Sequence, residues 1–250
     1  MVRVTCFTPL GADDARFLQT IVGLAGSSRQ LIDLAHPQSD IAKSLKAQLQ
    51  PKDDALNTKS ITLATTIHEI LREAGYRSFS SSSRADLVES LVRLSGTTFH
   101  FTEGKWSYSF RLLGYVVNKE TGELHLAIDP WLTDAVLGDR QYAHIDMREV
   151  RADLSSPARI LHQYLCTVVN PGGKPWTILT ETLMANIWSG ACSRSALSMR
   201  RIALRSAIIE LEETKGWTFT LQGDSFSISR SKKGYDLNPD PATKGQYLLV

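Results

Sequence analysis

Large apolar and polar residues alternate through "WTFTLQ" (217–222) and again through "SFSISR" (225–230), with Gly223-Asp224 between them. A period of two on both sides of a glycine-containing pair predicts a β-hairpin with a short turn. Ahead of it, 193–217 ("SRSALSMRRIALRSAIIELEETKGW") has helical spacing and closes on Gly216, a predicted C′ residue. "TETLMANIW" (180–188) predicts a short helix with Thr180 as N-cap, and "PWTIL" (175–179) leaves room for one short strand. In "SSPARILHQYLCTVV" (155–169), Ile160, Leu161, Tyr164, Leu165 and Val168 follow helical spacing, with Ser156 at the N-cap and Pro157 at N1. The order is helix, strand, helix, helix, hairpin.

The first half repeats that order. "LGADDARFLQTIVGLAG" (10–26) predicts a helix with Asp13 or Asp14 near its start and Gly26 at its end. A polar connection, 27–59, carries a further helix around "SDIAKSLKAQL" (39–49). Next come a strand at "SITL" (60–63), a helix at "ATTIHEILREAG" (64–75) and a second helix at 82–96, capped by Ser82 or Ser83. "TTFHF" and "WSYSFRLL" alternate around "TEGK", and "ELHLAI" (123–128) adds a strand. An element order that recurs without residue identity is an internal repeat of architecture.

Helix–strand–helix–helix–hairpin is the order of a winged helix, whose third helix is the second member of a helix-turn-helix. The expectation is an α+β protein of two tandem winged-helix domains, each a helix-turn-helix with a β-hairpin wing. The N-terminal domain would span 1–130 and the C-terminal domain 147–250, joined by a linker, 131–146. Asp129-Pro130 and Gly138-Asp139 break regular structure there, around one short helix at 131–137.

Charge sharpens this picture. Residues 193–233 hold eight Lys/Arg against four Asp/Glu, a local +4 on a chain whose total is +2. Such a patch is either a solvated helix face or the footprint of a directed polyanion contact. Taking Arg194 as zero on a helical wheel, Ser198, Arg201 and Arg205 fall within roughly 40° of it. Ala196, Ala203 and Ala207 fall opposite, with Leu204 and Leu211 beside them. Guanidinium groups can fork onto guanine or clamp phosphate. Spacing does not assign those two roles among Arg194, Arg200, Arg201 and Arg205. Ser195 and Ser198 are candidates for phosphates or bases. On the second wing strand Arg230, Lys232 and Lys233 would face the flanking phosphates; for the two lysines a solvated tail is the alternative. In the first half Ser82 and Ser83 at a helix start, with Arg84 and Lys105, are candidate phosphate contacts. Because "ADLVESLVRL" carries two acids, base reading there stands level with a phosphate-only contact or a protein interface.

Catalytic and metal chemistry find little support. His36, His68, His100, His125, His144 and His162 are scattered, and the chain has no P-loop, G-x-S-x-G or H-E-x-x-H motif. Adjacent acids such as Asp13-Asp14 and Asp53-Asp54 point to different sides of a helix. The expectation is no catalysis, no cofactor and no metal. Cys6, Cys166 and Cys192 form no pattern, which reads as reduced thiols. With no apolar leader and no membrane-length run, the chain is expected to be soluble and cytoplasmic.

Four collinear stretches carry a resemblance. "PLGADDARFLQTIVGLAG", "SFRLLGYVVNKETGELHLAIDPWLTDAVLG", "IDMREVRADLSSPARILHQYLC" and "TLMANIW…SMRRIALRSAIIELEETKGWTFT" resemble the RepC-type replication initiators of IncQ plasmids. The resemblance runs from about Pro9 to Lys232 and is weakest across 27–80. Such relatives extend further upstream of the "PLGADD" match. It implies a protein that binds directly repeated iterons in double-stranded origin DNA and helps open an adjacent AT-rich segment. Plasmid helicase and primase are the implied partners, with a homodimer or cooperative binding along the repeats. The alternative from the residues alone is a winged-helix transcriptional regulator on an operator.

Overall fold

The protein's structure, a computed structural model, describes residues 2–28, 30–118, 120–139, 143–214, 216–232 and 247–249. Two compact units appear: Met1–Tyr142 with Gly245–Val250, and Ala143–Lys244. Both mix helices with antiparallel sheet.

The first unit contains β1 (Val2–Thr5), α1 (Ala12–Ser28), β2 (Gln30–Asp33), α2 (Asp40–Leu49), β3 (Lys52–Asp53) and a 3-10 turn (Asp54–Asn57). It continues with β4 (Lys59–Thr66), α3 (Ile67–Glu73), α4 (Ser81–Ser95), β5 (Thr98–Glu103), β6 (Trp106–Arg111), β7 (Leu113–Val117), β8 (Glu123–Ile128) and α5 (Pro130–Leu137). The strands form two four-stranded sheets, ordered β2-β4-β8-β7 and β1-β5-β6-β3. Alternation along β4 buries Ile61 and Leu63, while α1 and α4 bury Phe17, Ile21, Leu87, Leu91 and Leu94. An ionic clasp joins the two helices. Asp14, only 2% exposed, accepts hydrogen bonds from the Arg93 Nε (3.0 Å), the Gly11 N–H (2.7 Å) and the Ser90 hydroxyl. Asp129 caps α5 by accepting the Leu132 N–H at 2.9 Å. Burial raises its carboxyl to about 7, against the lowering effect of the backbone N–H bonds it accepts.

The second unit contains β9 (His144–Asp146), α6 (Met147–Arg151), α7 (Ser156–Val168), β10 (Trp176–Leu179), α8 (Thr180–Ile187), α9 (Arg194–Glu213), β11 (Trp217–Gln222) and β12 (Ser225–Arg230). Strands β10, β11 and β12 form a three-stranded sheet, ordered β10-β12-β11. Gln222 pairs with Ser225, so Gly223 and Asp224 alone make the hairpin turn, and Gly223 supplies the positive φ of 61°. Leu161, Leu165, Ile178, Leu183, Leu204, Leu211 and Ile228 fill the core. A last strand, β13 (Tyr247–Leu249), belongs to the first unit.

Several expected boundaries shift. The cap of α4 is Ser80, which accepts the Ser83 N–H at 3.1 Å. In a run of four serines the earliest one is used, and Ser82 and Ser83 fall inside the first turn. Ser155, not Ser156, caps α7. α8 starts at Thr180 with Leu179 at its N-cap and no side-chain cap bond. The Thr180 N–H and hydroxyl are instead both donated to the Asp224 carbonyl at 2.9 Å. α1 continues past Gly26 to Ser28. "WSYSFRLL" is two strands: Leu112 leaves the hairpin by bonding to Thr97 and Asp129, and β7 joins the other sheet.

The recurring element order is present, but strand pairing departs from it. In the second unit β10 pairs with the hairpin strand β12. In the first unit β4 pairs with β2 and β8, and the β5–β6 hairpin pairs with β1 and β3. The extra strands of the first unit compete for the edges that a three-stranded arrangement would share.

Candidate nucleic-acid interface

α9 is built to hold one face outward. Ser193 caps it by accepting the Ala196 N–H at 3.2 Å. Leu204, Ala207, Ile208 and Leu211 are buried, which fixes the rotation of the helix. Arg194, Ser195, Ser198, Arg201 and Arg205 are all exposed as a result. Arg194, Arg201 and Arg205 form no ion pair with any described residue.

The acidic back half of α9 serves the fold. Glu210 accepts the Ser155 N–H at the start of α7 (2.7 Å), and Glu212 accepts the Phe219 N–H of β11 (3.1 Å). Charge therefore separates along the helix: Arg194, Arg201 and Arg205 face outward first, and Glu210 and Glu212 are tied to neighbouring backbone afterwards.

Between α9 and the hairpin lies an open groove of about 550 Å³. Arg201 and Arg205 line one wall, and Leu221, Asp224 and Phe226 line the other. Thr180 fixes that wall through its bonds to the turn. The basic stripe and the hairpin are thus held in one orientation by hydrogen bonds and core packing.

The other expected site residues divide. Arg200 donates to the carbonyls of Gly190 (3.2 Å) and Ser189 (3.4 Å), so it braces the turn before α9. The Ser195 hydroxyl is engaged with Ser193 at 2.9 Å. Lys232 is exposed, its stem lying over Gly172, where an added Cβ would come within 3.0 Å of the Lys232 Cβ. Lys233 lies outside the described residues. In the first unit Ser82, Arg84 and Lys105 are exposed, and Lys105 sits at the β5–β6 turn, 5.1 Å from the Trp106 ring centroid. Ser83 is buried with its hydroxyl turned to Ser80, which corrects its expected phosphate role.

Arg230 is the clearest correction. It is 2% exposed and cannot reach a phosphate. Its Nη2 donates to Glu149 Oε2 at 2.7 Å, and its guanidinium lies 4.6 Å from the Trp217 ring centroid. As the last residue of β12 its inward side follows from the pleat: Ile228, two residues earlier, is buried too.

Arg230 belongs to a buried cluster that the sequence reading missed. Glu149 Oε2 also lies 2.7 Å from His162 Nε2, and Cys166 Sγ lies 3.4 Å from that same nitrogen. The cluster joins α6, α7 and the base of the hairpin. Gly216 passes so close that a Cβ there would stand 2.7 Å from Glu149 Oε1. Glu149 and Cys166 share one imidazole nitrogen, so the trio lacks the two-sided relay of a nucleophile–base–acid triad. Although its three ligand atoms cluster, the Arg230 guanidinium already occupies the Glu149 carboxylate that a cation would need. The legible signal was the i, i+4 spacing of His162 and Cys166 on the apolar face of α7.

Burial opposes charge on His162, but Cys166 and Glu149 outweigh it and raise its pKa to about 9. Burial likewise opposes the charge on Glu149, yet His162 and Arg230 hold it below the usual carboxylate range. The His162 contribution to stability is complete below its ordinary value of 6.5 and is lost as pH rises through about 9. The expected result is a falling thermal midpoint between about pH 7 and about pH 10, worth on the order of 2 kcal/mol. Circular dichroism melts of wild type and His162→Gln check it: the variant should be flatter, and equal slopes would contradict the assignment.

A mixed α+β chain that carries an exposed arginine stripe on a helix beside a braced hairpin has the makings of a nucleic-acid-binding protein. Residues 1–232 match the model of the family Replication protein C (RepC), and the chain belongs to that family. Its fold is similar to two solved structures of RctB. One, of selenomethionine derivatives of its domains 2 and 3, has a TM-score of 0.55 at 12% identity, covering 92% of this chain and 86% of that one. The other, of RctB domains 2-3, has a TM-score of 0.53 at 12% identity, covering 94% and 88%. No curated protein matches the chain. None of the described helices is long and apolar enough to cross a membrane.

Proposed function

We infer that this RepC-family protein initiates plasmid replication by binding directly repeated iterons in double-stranded origin DNA. One observation carries the reading: Arg194, Ser198, Arg201 and Arg205 stand exposed on one side of α9, while Leu204, Ala207, Ile208 and Leu211 of the same helix are sunk in the core. The element order and the β10-β12-β11 sheet support treating the second unit as a winged helix, with α9 as its recognition helix in the major groove. Lys232 would lie beside the flanking phosphates. The first unit is a second, variant module in which Ser82, Arg84 and Lys105 contact phosphate only. The protein acts through binding energy rather than bond chemistry: repeats add avidity, and strain is spent on an adjacent AT-rich segment whose T-A steps unstack most easily. Helicase and primase then load on the opened strand.

Footprinting on origin DNA of the replicon that carries the gene, combined with permanganate probing, tests this reading. Several protected direct repeats with reactive thymines alongside are expected. One protected palindrome without reactive thymines would instead identify an operator-binding regulator.

A further inference from the structure

α9 exposes more than arginines. Ile202 is 54% exposed, in the middle of the basic half of the helix. It follows Arg201 directly and lies roughly 40° round the axis from Ser198 and roughly 60° from Arg205. The four polar stripe residues and Ile202 together fill an arc of roughly 100°, about one helix face. A β-branched aliphatic residue is a poor filler for a solvated helix position, because it lowers helix propensity and here buries little. The DNA major groove offers what such a mixed face needs: guanine O6 and N7 for guanidinium, and the thymine 5-methyl for an apolar side chain.

We propose that Ile202 is a specificity-determining residue that packs against thymine 5-methyl groups in the major groove, beside the contacts of Arg201 and Arg205. This rests on the DNA-binding reading above. Charge selects Ile202 over Ile209, and position round the helix selects it over Met199. Ile209 is also exposed but lies about 10 Å further along the helix, among Glu210, Glu212 and Glu213, whose charge opposes approach to phosphates. Met199 lies roughly 60° further round, outside the arc.

The test starts by enriching bound duplexes from a random library with the full chain. Thymines in an enriched duplex are then replaced one at a time by deoxyuridine, which lacks only the methyl group. At least one replacement should weaken wild-type binding about fourfold and leave Ile202→Ala unaffected, with Ile202→Val between the two. Alanine at an exposed helical position keeps the fold, which far-ultraviolet circular dichroism checks. Indifference of the wild type to every replacement, or equal losses in both proteins, overturns the proposal. So does a fall in self-association by Ile202→Ala in sedimentation with thymine dependence unchanged, which would make this face a contact between copies. Failure to enrich any duplex would contradict DNA binding itself, so the two failures are distinguishable.

Discussion

Glu149→Ala is expected to cost the second unit about 3–5 kcal/mol, the usual penalty for removing one partner from a buried ion pair. The carboxylate is the shared acceptor of Arg230 and His162, each at 2.7 Å. The Arg230 side chain is fully buried, so its charge has no route to water when the partner goes. The substitution would loosen α6, α7 and β12 together, and with them the base of the hairpin that faces α9. Glu149→Gln keeps an acceptor but loses the charge, so its cost should be intermediate. Urea unfolding checks both: a loss under about 1 kcal/mol for Glu149→Ala would show that the cluster is not a main tie of this unit.

The second large effect concerns binding. Arg201→Ala and Arg205→Ala are each expected to weaken specific duplex binding by about 1–3 kcal/mol where the arginine reads a base. Neither side chain makes an ion pair with a described residue, so the fold should be unchanged and the loss should appear only with DNA. Salt separates the roles. Loss of an arginine that sits on phosphate weakens binding to all sequences alike and lowers the log–log salt slope by about 0.9. Loss of an arginine that reads a base weakens binding to the preferred sequence while leaving non-specific binding nearly intact. Gel-shift titrations at several salt concentrations measure both. Unchanged affinity in both variants would remove the stripe from the interface.

Local pattern carried much of this fold into view. Alternation in 217–222 and 225–230 marks β11 and β12 residue for residue, and Gly223-Asp224 marks their turn. Helical spacing likewise reveals α7, α8 and α9, because each buries one face against a core. What pattern could not show was partner choice among strands. The short strands β1, β2 and β3 have two to four residues, too few for a period, and they redirect the sheets of the first unit. Arg230 was misread for a related reason. A basic residue at the end of an alternating strand suggests solvent, while its actual partner, Glu149, lies 81 positions away. The stripe on α9 was legible because all its members lie within one helix. The brace between Thr180 and the Asp224 carbonyl, and the exposure of Ile202, needed coordinates.

The central claim is that the basic face of α9 meets the duplex. Photo-crosslinking tests it most directly, with benzoylphenylalanine placed at Ser198 on that face or at Glu213 near the acidic end of the helix. Crosslinks from position 198 into the protected repeats, with little from position 213, are the predicted result. A protein that still protects the repeats but crosslinks equally from both positions, or from neither, would contradict it.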